Sequence, residues 1–170
     1  MRLGLLSDTH DRVPAVAELL RRFAAEGVSM VLHAGDVCAP FTLAPLREVA
    51  IPLLGVFGRN DGDHEGLVAA ASALPAGGEL LEAPHSLELD GTSLLLVHSL
   101  VDARARSVDA HRVVVHGSTH HAEARTQGDT LLVNPGEACG WLHGVPTGAI
   151  LDLATRHVEF LTLSGPDWSR

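Results

Sequence analysis

Lysine is absent from the 170 residues, so all 12 basic side chains are arginines, scattered along the chain. With 21 acidic residues the formal charge is −9. That balance leaves no basic stripe of the kind a strong nucleic-acid binder carries. It also means that a phosphate-bearing ligand must find local positive charge against the overall field. Cysteine is scarce, and the two present, Cys38 and Cys139, lie far apart without CxxC spacing, which excludes a disulfide framework and a thiolate zinc site. Long apolar runs are missing too. The opening MRLGLLSDTH is broken by Asp8 and His10 well short of a signal peptide or a membrane span, so a cytoplasmic protein with no membrane partner is expected. Neither G-x-G-x-x-G nor G-x-x-x-x-G-K-[ST] occurs, which sets aside a nucleotide-binding module. Without linker, low-complexity tract or repeat, and with 46% apolar residues, the chain is expected to fold as one domain over residues 1–170.

Histidine is what the chain has in excess: eleven, roughly three times ordinary usage. Their meaning depends on the elements around them. RLGLLS (2–7) is a short apolar run of the type buried on both faces. A helix is expected over Pro14–Ala25, with Pro14 in a permitted first-turn position and Gly27 as a stop. SMVLHA (29–34) reads as a strand, 41–50 as helical, IPLLGVF (51–57) as a strand and 64–73 as a helix, followed by a break at PAGG (75–78). This β-α-β-α-β order predicts a parallel sheet with right-handed crossovers. Beyond it the strands crowd together: 85–99 with an Asp90-Gly91 hairpin turn, then RVVVHG, TLLVNPG, TGAILDL and HVEFLTL. The expected fold is therefore α/β, a four-layer α/β/β/α sandwich of two packed mixed sheets flanked by helices.

A group of chemically capable side chains follows each of five strands: Asp8 and His10 in SDTH, Asp36 in HAGD, Asn60 and Asp61 in GRND, His98 in LLVHS, and Ser118 and His120 in GSTH. The carboxyl ends of strands in α/β sheets form the crevice where ligands bind, so these groups are expected to converge. Imidazole nitrogens together with carboxylate oxygens suit borderline divalent ions, and a carboxylate can bridge two of them. Asp36 is the candidate bridge.

The ordered set SDTH, HAGD, GRND, LLVHS, GSTH and VNPG resembles the calcineurin-like metallophosphoesterases, in particular their small bacterial and archaeal phosphodiesterases. The resemblance covers residues 2 to about 163. It implies a dinuclear centre in which Asp8, His10 and His120 hold one metal, Asp36 bridges, and Asn60 and His98 serve the second. It also implies phosphodiester hydrolysis of a small substrate by a metal-activated hydroxide. The expected ion is Mn2+, with Ni2+, Fe2+ and Zn2+ as alternatives.

Two departures fall on the second metal. The family's G-H-T-H reads Gly117-Ser118-Thr119-His120, and its glycine-asparagine pair is split by Arg59. The second ion is therefore expected to be the weaker, with His121 ahead of His116 as a replacement ligand. Arg59 is a candidate for binding substrate, because a guanidinium offers paired donors to phosphate oxygens. Asp61 stands where larger relatives have a leaving-group histidine, and His64 is the nearest stand-in. Asn134, Pro135 and Gly136 match the family's N-P-G turn and are expected to shape the site. His33, His85, His111, His143 and His157 have no motif partner and read as surface or satisfied core residues. The WLHGVP loop at Trp141 suits plain packing, an apolar wall, or a contact between copies in a homo-oligomer. The alternative to an enzyme is a non-catalytic scaffold of the same fold with a degraded metal site, as in a retromer subunit. A metal-dependent amide or ester hydrolase is a further reading.

Overall fold

The run RLGLL forms β1 (Arg2–Leu6), buried from Leu3 onward, in the computed structural model, which describes residues 1–168. Helix α1 (Val13–Ala25) buries Ala15, Val16, Leu19, Leu20 and Phe23, one stripe at helical spacing. It stops in a Schellman turn. The Gly27 and Val28 amides donate to the Ala24 and Phe23 carbonyls, and Gly27 takes a φ of +68°. There follow β2 (Met30–His33), a 3-10 helix over Pro40–Arg47, β3 (Leu53–Val56), α2 (His64–Ser72) and β4 (Gly78–Leu81). The second half contains β5 (His85–Leu89), β6 (Thr92–Leu96), a 3-10 turn at Leu100–Asp102 and α3 (Ala105–Asp109). It continues with β7 (Val113–Val115), β8 (Ala122–Gln127), β9 (Thr130–Pro135), β10 (Thr147–Asp152) and β11 (His157–Thr162).

One sheet has the order β11-β10-β1-β2-β3-β4 and the other β5-β6-β7-β9-β8. Strands β1 to β4 pair in parallel, with β10 antiparallel to β1. In the second sheet β6, β7 and β9 are parallel, and β5 and β8 are antiparallel edges. The expected hairpin lies between β5 and β6, where Asp90 and Gly91 both take positive φ.

Alternation within the buried runs builds three apolar layers. Leu3, Leu5, Leu32, Val56, Leu94, Leu96, Val113 and Val115 meet between the sheets. Leu95, Val97, Val114 and Leu132 face the other way, onto Val108 of α3. A strand covered on both faces must be apolar at every position, which is why these segments read as continuous runs. The α/β/β/α sandwich is therefore present, with α1, α2 and the first 3-10 helix over one sheet and α3 over the other.

Four local expectations change. The stretch read as helical over 41–50 is a 3-10 helix at 40–47 holding Pro45, whose missing N–H and bulky ring disfavour the α-helical bond to residue 41. The PAGG break overlaps the start of β4. Strand β8 is exposed at every residue, so AEARTQ carries no apolar alternation to betray it. The covering segment at 100–109 is too short for helical periodicity to register.

Phe23 fits over β1 because residue 4 is glycine. A Cβ there would stand 2.6 Å from the Phe23 ring, which is fully buried. Gly4→Ala is expected to destabilise the fold by about 1–3 kcal/mol, read from the urea midpoint. Adding Phe23→Leu should recover part of the loss, which a general loss of strand propensity would not allow.

Candidate metal centre

The parallel strands of both sheets release the chain at one end, and backbone hydrogen bonds stitch the released loops together. Asp8 donates its amide to the Gly35 carbonyl at 3.0 Å, Gly117 to His98 at 2.9 Å, and Cys139 to Asp8 at 3.1 Å. Five residues here, Asp8, His10, Asp36, Ser118 and His120, adopt positive φ between 37° and 67°. Non-glycine residues held in this region cost of order 1–3 kcal/mol each and gather where function requires them.

Asp8 is fully buried. Its Oδ2 accepts the Ser118 amide at 3.1 Å, and its buried Oδ1 has no hydrogen-bond partner among the described residues. That oxygen faces His120 Nε2 at 3.4 Å and His10 Nε2 at 3.9 Å. Burial raises the Asp8 carboxyl above its ordinary range, against the Ser7 hydroxyl and the nearby His120 imidazole, which lower it. Asp36 is held from the other side. Its two oxygens accept the Asn60 backbone N–H at 2.8 Å and the Asn60 side-chain amide at 2.7 Å. Its Oδ2 faces His98 Nε2 at 3.5 Å and His10 Nε2 at 3.6 Å. Burial alone would raise this carboxyl, but the two Asn60 donors and the imidazoles of His98 and His10 hold it below the usual range.

The imidazoles are oriented from behind. His98 Nδ1 lies 2.8 Å from the Ala34 carbonyl and His120 Nδ1 lies 2.8 Å from Glu137 Oε2. An acceptor at Nδ1 assigns the proton there and leaves the Nε2 lone pair pointing at the carboxylates. Two ligands each about 2.1 Å from a shared ion stand roughly 3–3.5 Å apart, near these separations. A buried carboxylate oxygen without a donor, opposite imidazole lone pairs, fits a divalent cation. Asp8, His10 and Asp36 form one group of atoms within 4.8 Å of one another, and His10, His120 and Cys139 a second.

Glu137 was not anticipated. It is buried and accepts His120 Nδ1–H together with the Leu142 amide at 3.0 Å and the His143 amide at 2.5 Å. These bonds and the Cys139 thiol hold its carboxyl low despite burial, which alone would raise it. Its signal was available: Glu137 follows β9 as the other groups follow their strands. Cys139 donates to the same Glu137 oxygen at 3.5 Å, behind His120.

The remaining candidates sort as follows. Asn60 reaches Asp36 although Arg59 precedes it, donating both its backbone N–H and its side-chain amide to that carboxylate. Asp61 takes no place of a leaving-group histidine. It is a clasp, accepting the amides of Asp36 at 3.1 Å and of Cys38 and Gly58 at 2.7 Å. Arg59 is exposed, with Nη2 3.7 Å from Asp102 Oδ2, and it shares a small recess with His98. His116 is buried just beyond β7, and that burial lowers its pKa. His121 is exposed and packs on His143, ring centroids 4.1 Å apart. Among the described residues neither joins the two groups that could hold an ion, and no imidazole takes the place of Ser118 in them. His64 lies flat on Phe57 instead of facing the carboxylates. Asn134 donates to the Gly117 carbonyl at 3.1 Å and to Thr119 Oγ1 at 2.9 Å, and so shapes the GSTH loop. His33, fully buried and held near a pKa of about 4 by that burial, bridges the Gly35 amide and Thr9 Oγ1. Trp141 donates to the His10 carbonyl at 3.3 Å beneath the Arg12 guanidinium, beside the centre.

Comparison with known proteins agrees with this geometry. The family model for the calcineurin-like phosphoesterase superfamily domain matches residues 1–156. The chain is 29% identical over 167 residues to a phosphodiesterase of Methanocaldococcus jannaschii, covering 96% of this chain and 99% of that one. It is 30% identical over 146 residues to a probable metallophosphoesterase of Methanothermobacter thermautotrophicus, covering 80% and 76%. Among solved structures, an archaeal phosphodiesterase superposes with a TM-score of 0.89 at 28% identity, over 96% of this chain and all of the other.

Because Glu137 fixes the tautomer and orientation of His120, Glu137→Gln is expected to weaken divalent-metal affinity about 10- to 100-fold. Competition with a chromophoric chelator measures this directly. An unchanged affinity would show that His120 does not depend on that carboxylate.

Proposed function

The chain belongs to the calcineurin-like phosphoesterase superfamily, and from that premise we propose that it is a phosphodiesterase whose metal centre is unequal in its two halves. It has the fold and the clustered ligand groups of a metal-dependent phosphoesterase. In the proposed assignment Asp8, His10, Asp36 and His120 hold one ion firmly, and Asp36, His98 and Asn60 hold a second more weakly. Mn2+ is the first choice, with Ni2+, Fe2+ or Zn2+ as alternatives. Mixed imidazole and carboxylate donors suit all four. The observation that carries this reading is the buried, partnerless Asp8 Oδ1 facing two imidazole nitrogens. A scaffold would retain that unsatisfied carboxylate with nothing gained.

When bound, such ions supply an acidified water for attack and positive charge for the phosphoryl oxygens. The protein's own contributions are geometric. Asp36 sits between His10 and His98 and fixes the spacing of the two halves, with Asn60 holding its rotamer. Arg59 exchanges its exposed partner Asp102 for a phosphate oxygen, supplying fixed charge where the Ser118 side is poor in ligands. A protein nucleophile is not required, and neither thiol is suited to be one: burial pushes Cys38 and Cys139 up to about 12. A small phosphodiester as substrate follows the name of the Methanocaldococcus jannaschii relative. The free thiols of Cys38 and Cys139 are in keeping with a cytoplasmic setting. Among the described residues no helix is long and apolar enough to cross a membrane.

Hydrolysis of bis(p-nitrophenyl) phosphate is expected to need added Mn2+ or Ni2+ and to cease with a chelator. Asp36→Asn should lower kcat by on the order of 10²–10³, whereas Arg59→Ala should raise KM about tenfold with a smaller change in kcat. Metal titration of the wild type should show one tight and one weak step, and Ser118→His should tighten the weak one. Two equally tight ions in the wild type would overturn the unequal assignment, and turnover that survives chelation would overturn the metal-dependent one.

A further inference from the structure

A recess beside His98 leads away from the metal ligands across the start of α2. Its inner part, about 190 Å³, is walled by His98, Gly58 and Arg59. Its outer part, about 430 Å³, opens over Val68 and Ala69. The two hollows adjoin along Phe57, His64 and Glu82, and we take them together as one groove. Resting on the phosphodiesterase reading above, we propose that this groove seats one ester arm of the substrate, and that the arm is a flat, uncharged aromatic ring.

The shape of the floor carries the inference. The His64 ring lies parallel to the buried Phe57 ring, centroids 3.8 Å apart and planes within 3°. One face of the imidazole is therefore covered, and the 45% exposure of its side chain belongs to the other face and the edges. Val68 lies four residues on, hence on the same side of α2, and is 42% exposed. A planar imidazole face next to a bare valine makes a slot suited to stacking. Charge sets the second condition. Arg59 stands at the inner end, where the phosphate would sit, and is paired with Asp102. Glu82 borders both parts, its carboxylate 3.8 Å from His64 Nδ1. A second anionic group in the arm would meet Glu82 and Glu65, whereas an uncharged ring would not. The class so defined takes in aryl and nucleobase-bearing phosphodiesters and leaves out short alkyl ones.

The test is calorimetric binding of methylphosphonate and phenylphosphonate, neither of which turns over, to the metal-loaded protein. Phenylphosphonate is expected to bind about tenfold more tightly than methylphosphonate. In Val68→Gln and in His64→Ala, both at exposed positions, that ratio should fall to about threefold or less. Equal affinities in the wild type, or a phenyl preference that both variants retain, would overturn the groove assignment. Failure of both phosphonates to bind would instead overturn the phosphoester reading on which it rests.

Discussion

Two carboxylates withdrawn from water at the ends of neighbouring strands set the terms for this molecule. Asp8 and Asp36 lie at the mouth where the sheets meet, each facing imidazole nitrogens and not arginines. Burying a carboxylate is costly unless it is paired, and among the described residues Asp8 Oδ1 has no donor. The raised Asp8 pKa expresses the same fact. The folded chain retains a proton that the unfolded chain releases near its ordinary carboxylate pKa. Stability from this group is therefore lost as pH rises from that ordinary value toward the raised one. A cation at the site removes the deficit, so metal binding and folding reinforce each other at neutral pH.

The fold is arranged to hold this deficit in place. Apolar strands covered on both faces fix the positions at which the loops leave, and the loops then bond to one another across both sheets. Gly58 shows how closely they pack, since a Cβ there would meet the Asp36 carboxylate and its amide. Asp61 gathers three amides beneath Asp36, while Glu137 and the Ala34 carbonyl aim His120 and His98. The strain of five positive φ angles is carried by this bonding and by the packed core below.

Much of this was legible in the sequence. Doubly buried strands announce themselves as apolar runs, and polar groups placed directly after such runs must cluster if the strands are parallel. The four-layer architecture and the gathering of Asp8, His10, Asp36, Asn60, His98 and His120 follow from those two rules. Elements without an apolar signature stayed hidden: the fully exposed β8 and the short α3. Glu137 lies one residue beyond the N-P-G turn, outside the ordered motif set, and so was not among the expected site residues. The role of Asp61 could not be read from residue type, since a carboxylate that accepts backbone amides and one that faces substrate look alike in sequence. His116 and His121 illustrate the same limit from the opposite side: neither residue type nor closeness to the GSTH loop tells that they stay outside the two groups that could hold an ion.

The most direct test of the central claim is anomalous diffraction from crystals grown with Mn2+. The expected result is a strong peak bounded by Asp8 Oδ1, His10, Asp36 and His120, with a weaker one between Asp36 and His98. A map with no peak among these residues, and Asp8 Oδ1 instead hydrogen-bonded to water or protein, would contradict the account.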